Sequence, residues 1–178
     1  FQTIINCEQH RFYLLTKQPQ NLAKWSPFPD NCWVGVTATN QDMYDGAVYH
    51  LNNIQAKVKY ISLEPLLSHV YLPNYKDVDW VIIGACTGKK YELLALCQKW
   101  NIEGINQGTQ FMQYRGNLWT LQPRLEWVLE IVEAADKASI PVFLKNNLRP
   151  LIVDALAKHQ IDRRQFLTGR ELRWEMPR

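Results

Sequence analysis

WVIIGACTG, residues 80–88, is the stretch that decides the fold. Trp80 to Ile83 are four apolar residues in a row, which suits a strand covered on both faces and points to a parallel sheet rather than a hairpin with one wet side. The run ends in a turn of small residues, Gly84-Ala85-Cys86-Thr87-Gly88. After it Leu93, Leu96, Cys97 and Trp100 recur at helical spacing. The unit is strand, small or polar end, helix.

The same unit repeats on both sides. Upstream, VKYISL (58–63) is β-prone and is closed by Glu64-Pro65, where proline forces the chain out of the strand. CWVGVTA (32–38) is followed by Thr39-Asn40, either of which can cap a helix, and then by Tyr44, Ala47, Val48 and Leu51 at helical spacing. RFYLLT (11–16) ends at Lys17, and Gln18-Pro19 reads as the entry to a short helix over Asn21 to Trp25. Downstream, Pro123 opens an amphipathic helix carrying Leu125, Val128, Leu129 and Val132, and PVFL (141–144) is the next strand, ending at Lys145-Asn146-Asn147. A last helix is expected over Leu151 to His159. Short apolar strands alternating with amphipathic helices predict an α/β fold of parallel strands with right-handed crossovers, barrel or open sheet.

The chain of 178 residues, 47% hydrophobic and 21% charged, has the balance of one globular domain. Its heavy aromatic load fills a core or lines a groove, the core being the commoner use. No stretch approaches the roughly 18–20 apolar residues of a membrane span, so a cytoplasmic location without membrane attachment is expected. The chain opens at Phe1 rather than Met, from which an upstream segment is expected as a missing partner. Cys7, Cys32, Cys86 and Cys97 lack the short paired spacing of zinc or iron-sulfur sites and read as packed thiols. Residues 101–119 turn to Asn, Gln, Gly and aromatics without a period, and read as an insertion or lid. The net charge of +3 is unevenly placed: residues 145–178 hold 8 Lys and Arg against 4 Asp and Glu. A basic carboxy-terminal segment, 160–178, with Arg163, Arg164, Arg170 and Arg173, reads as a solvated face or as a phosphate-binding patch for nucleic acid.

In parallel α/β proteins ligands bind where the strands end, because several loops converge there. Those ends carry Thr16 and Lys17, Thr37 and Thr39, Glu64, Cys86 and Thr87, and Lys145 and Asn146. Glu64 suits a general base or the holder of a ligand's amino group, or else an ion-pair partner of Lys17 or Lys145. The two lysines suit a carboxylate or phosphate, or else the surface. No histidine falls at a strand end, which makes a Cys-His mechanism at Cys86 a poor fit.

Six strings together resemble a known family: LLTKQPQNL (14–22), CWVGVTATNQ (32–41), YISLEPLL (60–67), DWVIIGACTG (79–88), PVFLKN (141–146) and LTGRELRWEMP (167–177). They are similar, in order, to the phage-associated three-cysteine-motif proteins, relatives of radical S-adenosylmethionine enzymes. The resemblance implies a partial (β/α) barrel, of which residues 1–178 form one α/β domain and the carboxy-terminal part. It implies S-adenosylmethionine and a [4Fe-4S] cluster for the full-length protein, with no cluster ligand on this chain and no metal or cofactor expected on it alone. The family's Gly-Gly-Glu-Ser-Gly reads Gly84 to Gly88 with Ala85, Cys86 and Thr87 between, and its Lys-Gln-Trp reads Lys145-Asn146-Asn147. On this reading Glu64 and Lys145 are catalytic, Lys17, Thr37, Thr39, Gly84 and Gly88 face the cofactor, and Asn146, Arg163 and Arg164 face a substrate. A non-catalytic binding module that keeps the fold without the cluster is the second expectation, and an open-sheet phosphate-binding enzyme the third.

Overall fold

A computed structural model describes residues 1–72, 78–99, 110–169 and 171–177. Five parallel strands form the main sheet: β1 (Phe12–Thr16), β2 (Cys32–Thr37), β3 (Val58–Leu63), β4 (Trp80–Ile83) and, later in the chain, a fifth, Val142–Leu144. Three short strands and two helices intervene before it: β5 (Cys86–Gly88), β6 (Gln110–Arg115) and β7 (Leu118–Gln122) pair antiparallel in the order β5-β7-β6, so Val142–Leu144 is β8. The main sheet runs β1-β2-β3-β4-β8, each pair parallel. The architecture is α/β and consistent with a partial β/α barrel.

Six helices are described: α1 (Gln2–Asn6), α2 (Gln41–Asn52), α3 (Lys90–Lys99), α4 (Leu125–Ala138), α5 (Arg149–Ala157) and α6 (Arg163–Phe166). Asn40 caps α2 by accepting from the Met43 amide at 2.9 Å. The segment after Pro19 forms a 3₁₀ helix, Pro19–Trp25. One face of the sheet, with Val34, Val36, Ile61, Leu63, Val81, Ile83, Val142 and Leu144, packs against Tyr44, Ala47 and Leu51 of α2 and Val128, Ile131, Val132 and Ala135 of α4. None of these helices spans a membrane: no helix among the described residues is long and apolar enough.

The opposite face carries Trp33, Val58, Tyr60 and Trp80, with Ile82 and Phe143, and no described helix joins this cluster. Aromatic rings close it instead. Trp33 and Trp80 meet edge to face at 5.8 Å, and Arg11 lies over Trp33 at 4.0 Å. Residues Glu171–Leu172 (β10) pair with Leu167–Thr168 (β9), and the chain then runs antiparallel along β8, where Trp174 stacks on Phe143. Arg173 pins this segment, meeting Asp136 at 2.6 Å and Glu175 at 2.7 Å.

The structure departs from the sequence reading in two places. The turn expected over Gly84–Gly88 is partly a strand, β5, because it has β7 as a partner. The aperiodic stretch contributes β6 and the start of β7, with Phe111, Trp119 and Leu121 packed on Leu93 and Cys97 of α3. Strand alternation is hard to see there, since the register of β6 with β7 shifts between Gln113 and Arg115 and breaks the period of two. Trp100, residues 101–109 of the expected insertion, and Arg170 lie outside the described residues.

Tyr60 spans the inner face. Its ring lies across Gly35, where an added Cβ would overlap the ring carbons, and its hydroxyl donates to the Leu14 carbonyl at 3.1 Å. Burial, helped by Cys32 and Tyr13, pushes its pKa from 10.0 to about 12. The unfolded chain therefore releases this proton first: the stabilisation is complete below pH 10 and is lost as pH rises toward 12. Tyr60→Phe should cost about 1 kcal/mol at pH 8 from the lost hydrogen bond. Over the alkaline window the wild type should lose roughly 2–3 kcal/mol relative to the variant. Urea unfolding of both proteins across that range checks it, and a pH-independent difference rejects the coupling.

Candidate functional site at the carboxyl edge of the sheet

Strands β3, β4 and β8 are neighbours, so Glu64, Gly84 and Lys145, each the residue after its strand, stand side by side at one edge. Lys145 Nζ lies 2.8 Å from Glu64 Oε2, and the ion pair passes over Gly84. An alanine Cβ at position 84 would come within 2.9 Å of Glu64 Cγ and 3.0 Å of Cδ and Oε1. The glycine is needed here for close approach rather than for an unusual backbone conformation. The Glu64 side chain is 26% exposed and that of Lys145 42%, so both remain within reach of a ligand. An ion pair this open contributes only about 0–1 kcal/mol to stability.

Asn147 buttresses the pair from below. Its amide accepts from the Ala85 N–H at 3.1 Å and donates to the Ala85 carbonyl at 2.8 Å, as a neighbouring strand would. The same nitrogen lies 3.2 Å from Thr87 Oγ1 and 3.3 Å from Glu64 Oε1. Gln122, at the end of β7, donates to the Asn147 carbonyl at 2.8 Å and to Thr120 Oγ1 at 2.6 Å, while its own Oε1 is buried without a hydrogen-bond partner. Two amides thus lock the edge of the parallel sheet to the antiparallel one. Cys86 sits in the same region, its pKa raised by burial and further by Cys97 and Glu64, which keeps it a thiol at neutral pH.

Of the residues expected to meet, Glu64, Gly84 and Lys145 do so directly. Thr37 is buried opposite Ser62 in the register of β2 with β3, two residues below Glu64. Thr39 hands its hydroxyl to Met43 Sδ at 3.2 Å and its carbonyl to the Leu67 amide. Lys17 is exposed at the end of β1, with two strands between it and β4. Gly88 packs against Glu92 and Leu93 of α3. Asn146 lines a groove beside α5. In α6, Arg163 donates to the Gly169 carbonyl at 3.0 Å and the Arg164 side chain is 94% exposed. Asn147, Gln122 and Thr120 were not singled out from the sequence; an amide pair following the strand end at Lys145 was the available signal.

Fold and edge together define a parallel α/β protein of partial-barrel type, with a charged pair held ready at the carboxyl ends of its strands. Residues 1–111 match the model of a protein family of unknown function, DUF5131, and the chain belongs to that family. The match takes in Glu64 and Gly84, whereas Lys145 and Asn147 lie beyond it. No curated protein and no solved structure matches the chain.

The crossing over Gly84 can be tested by a double-mutant cycle. Gly84→Ala should destabilise the protein by about 1–3 kcal/mol through overpacking. In a Glu64→Ala background, which lacks the atoms that would clash, the same substitution should cost markedly less. Denaturant unfolding of the four proteins measures both values; equal costs mean that the glycine serves the turn and not the ion pair.

Proposed function

We propose that this chain forms the cofactor- and substrate-cleft portion of an enzyme similar to the radical S-adenosylmethionine enzymes. The observation that carries the reading is the Glu64–Lys145 pair, poised over Gly84 at the strand ends. A carboxylate and an ammonium side by side match a ligand bearing an ammonium and a carboxylate, as the amino-acid end of S-adenosylmethionine does. Glu64 would receive the amino group and Lys145 the carboxylate, each exchanging its present partner for one on the ligand. The ordered resemblance of six sequence strings supports the same reading.

An iron-sulfur cluster does not fit the described residues. Among them no three His, Cys, Asp or Glu side chains are grouped so as to hold a metal. Cys32 is buried in the helix-covered core, Cys97 belongs to the core under β7, and Cys7 lies by α1. On this reading the cluster ligands come from a segment outside these residues, and this chain supplies binding and orientation. A binding module that has kept the sheet and lost the chemistry is the competing account.

The polypeptide as its native cell produces it, purified without oxygen, distinguishes the two. The expectation is about four iron and four sulfide per chain and cleavage of S-adenosylmethionine on reduction. Glu64→Gln and Lys145→Met in that protein should each weaken S-adenosylmethionine affinity about tenfold, a loss of about 1.4 kcal/mol. Absence of iron would make the chain a binding module; unchanged affinity in both variants would make the ion pair purely structural.

A further inference from the structure

The geometry points to a second binding surface, a groove between β6 and the first turn of α5 that takes single-stranded nucleic acid. Gln113, Tyr114 and Arg115 line one wall, Asn146, Arg149, Pro150 and Val153 the other, with Glu171 at the end; the groove encloses about 530 Å³. In a regular strand Tyr114 and Arg115 would point to opposite faces. Here they share a groove because the β6–β7 register slips between Gln113, opposite Trp119, and Arg115, opposite Leu118, leaving Tyr114 as the extra residue. Bulges re-aim side chains in this way and recur beside binding sites.

What the bulge gathers has a definite chemistry. The Arg115 guanidinium sits 5.1 Å from the centre of the Tyr114 ring, and across the groove the Arg149 side chain is 45% exposed. The single carboxylate, Glu171, meets Arg149 at only 3.4 Å, a contact weak enough to be exchanged for a phosphate. Pro150 and Val153, the latter 52% exposed, add an apolar surface to the wall that carries Arg149. Two guanidinium groups flanking an aromatic ring and an apolar platform suit alternating phosphates and unstacked bases, the pattern of single-strand recognition. A duplex hides its base faces and an acidic peptide has none, so neither would use Tyr114. Neither Arg115 nor Arg149 belongs to the basic segment 160–178 expected to meet nucleic acid; within that segment Arg163 donates to the Gly169 carbonyl and Arg164 is exposed.

Asn146, on the groove wall, follows Lys145 directly, so a strand lying in the groove passes beside the Glu64–Lys145 cleft. As an account of what that cleft acts on, the inference rests on the proposed function; as a binding surface it stands alone. Fluorescence anisotropy of the chain with a labelled single-stranded oligonucleotide of about 12–15 residues tests it. Saturable binding is expected, falling steeply with salt. Arg115→Gln and Arg149→Gln should each lower affinity about 5- to 10-fold and flatten the salt slope by about 0.7. Tyr114→Ala should lower affinity at least fivefold, with Tyr114→Phe restoring it. Thermal melts of the variants control for folding. No saturable binding, equal binding of duplex or of an acidic peptide, or indifference to Tyr114→Ala overturns the inference. None of these variants alters Glu64 or Lys145, so loss of the cofactor reading leaves this result standing, and the reverse holds too.

Discussion

The interaction on which the molecule turns is the reach of the central strand over a glycine in each neighbour. From β3, Tyr60 crosses β2 at Gly35 to bond the Leu14 carbonyl of β1, and Glu64 crosses β4 at Gly84 to meet Lys145 after β8. Both crossings lie on the face that no described helix covers. A sheet buried on one face by helices must close the other by its own side chains. Here large residues from alternate strands lean across small ones, the way the interior of a barrel is layered. The lower crossing is apolar and sealed; the upper one is charged and open.

That gradient separates stability from function along the strands. The aromatic layer, Trp33, Tyr60, Trp80 and Phe143, removes much apolar area from water, and burial of one such side chain is worth about 1.5–3 kcal/mol. The ion pair at the edge adds little to that sum. What fixes it is the polar scaffold behind it, in which Asn147 holds the turn after β4 and Gln122 holds Asn147. Such a network orders two charges in one geometry before any ligand arrives, which is the condition for tight and selective binding.

Much of this was legible in the sequence because strand ends are punctuated. Glu64-Pro65, Gly84 and Lys145-Asn146 each interrupt an apolar run, and a parallel fold brings such interruptions to one edge whatever the strand order. The order itself was not legible: that β8 joins next to β4, across an antiparallel excursion, is what sets Lys145 beside Glu64 rather than Lys17. The small sheet escaped notice because β5 has three residues and β6 carries a bulge, so neither shows a clean period of two. Asn147 and Gln122 escaped for another reason. Their partners are backbone groups and each other, and nothing in a linear pattern marks an amide as buried.

The excursion also explains how the departures from the resembled family pattern belong together. In that pattern the turn after β4 carries a glutamate and the residue two after the lysine is a tryptophan; here they are Cys86 and Asn147. A short amide at 147 can bond both backbone groups of Ala85 and reach Thr87, whereas an indole has one donor and no acceptor. With the turn held in extended form, Cys86 to Gly88 can pair with β7, and β7 in turn carries β6 and its bulge toward α5. Asn147 is thus hydrogen-bonded both to Glu64 of the charged pair and, through Gln122, to the strand that pairs with the one displaying Tyr114 and Arg115.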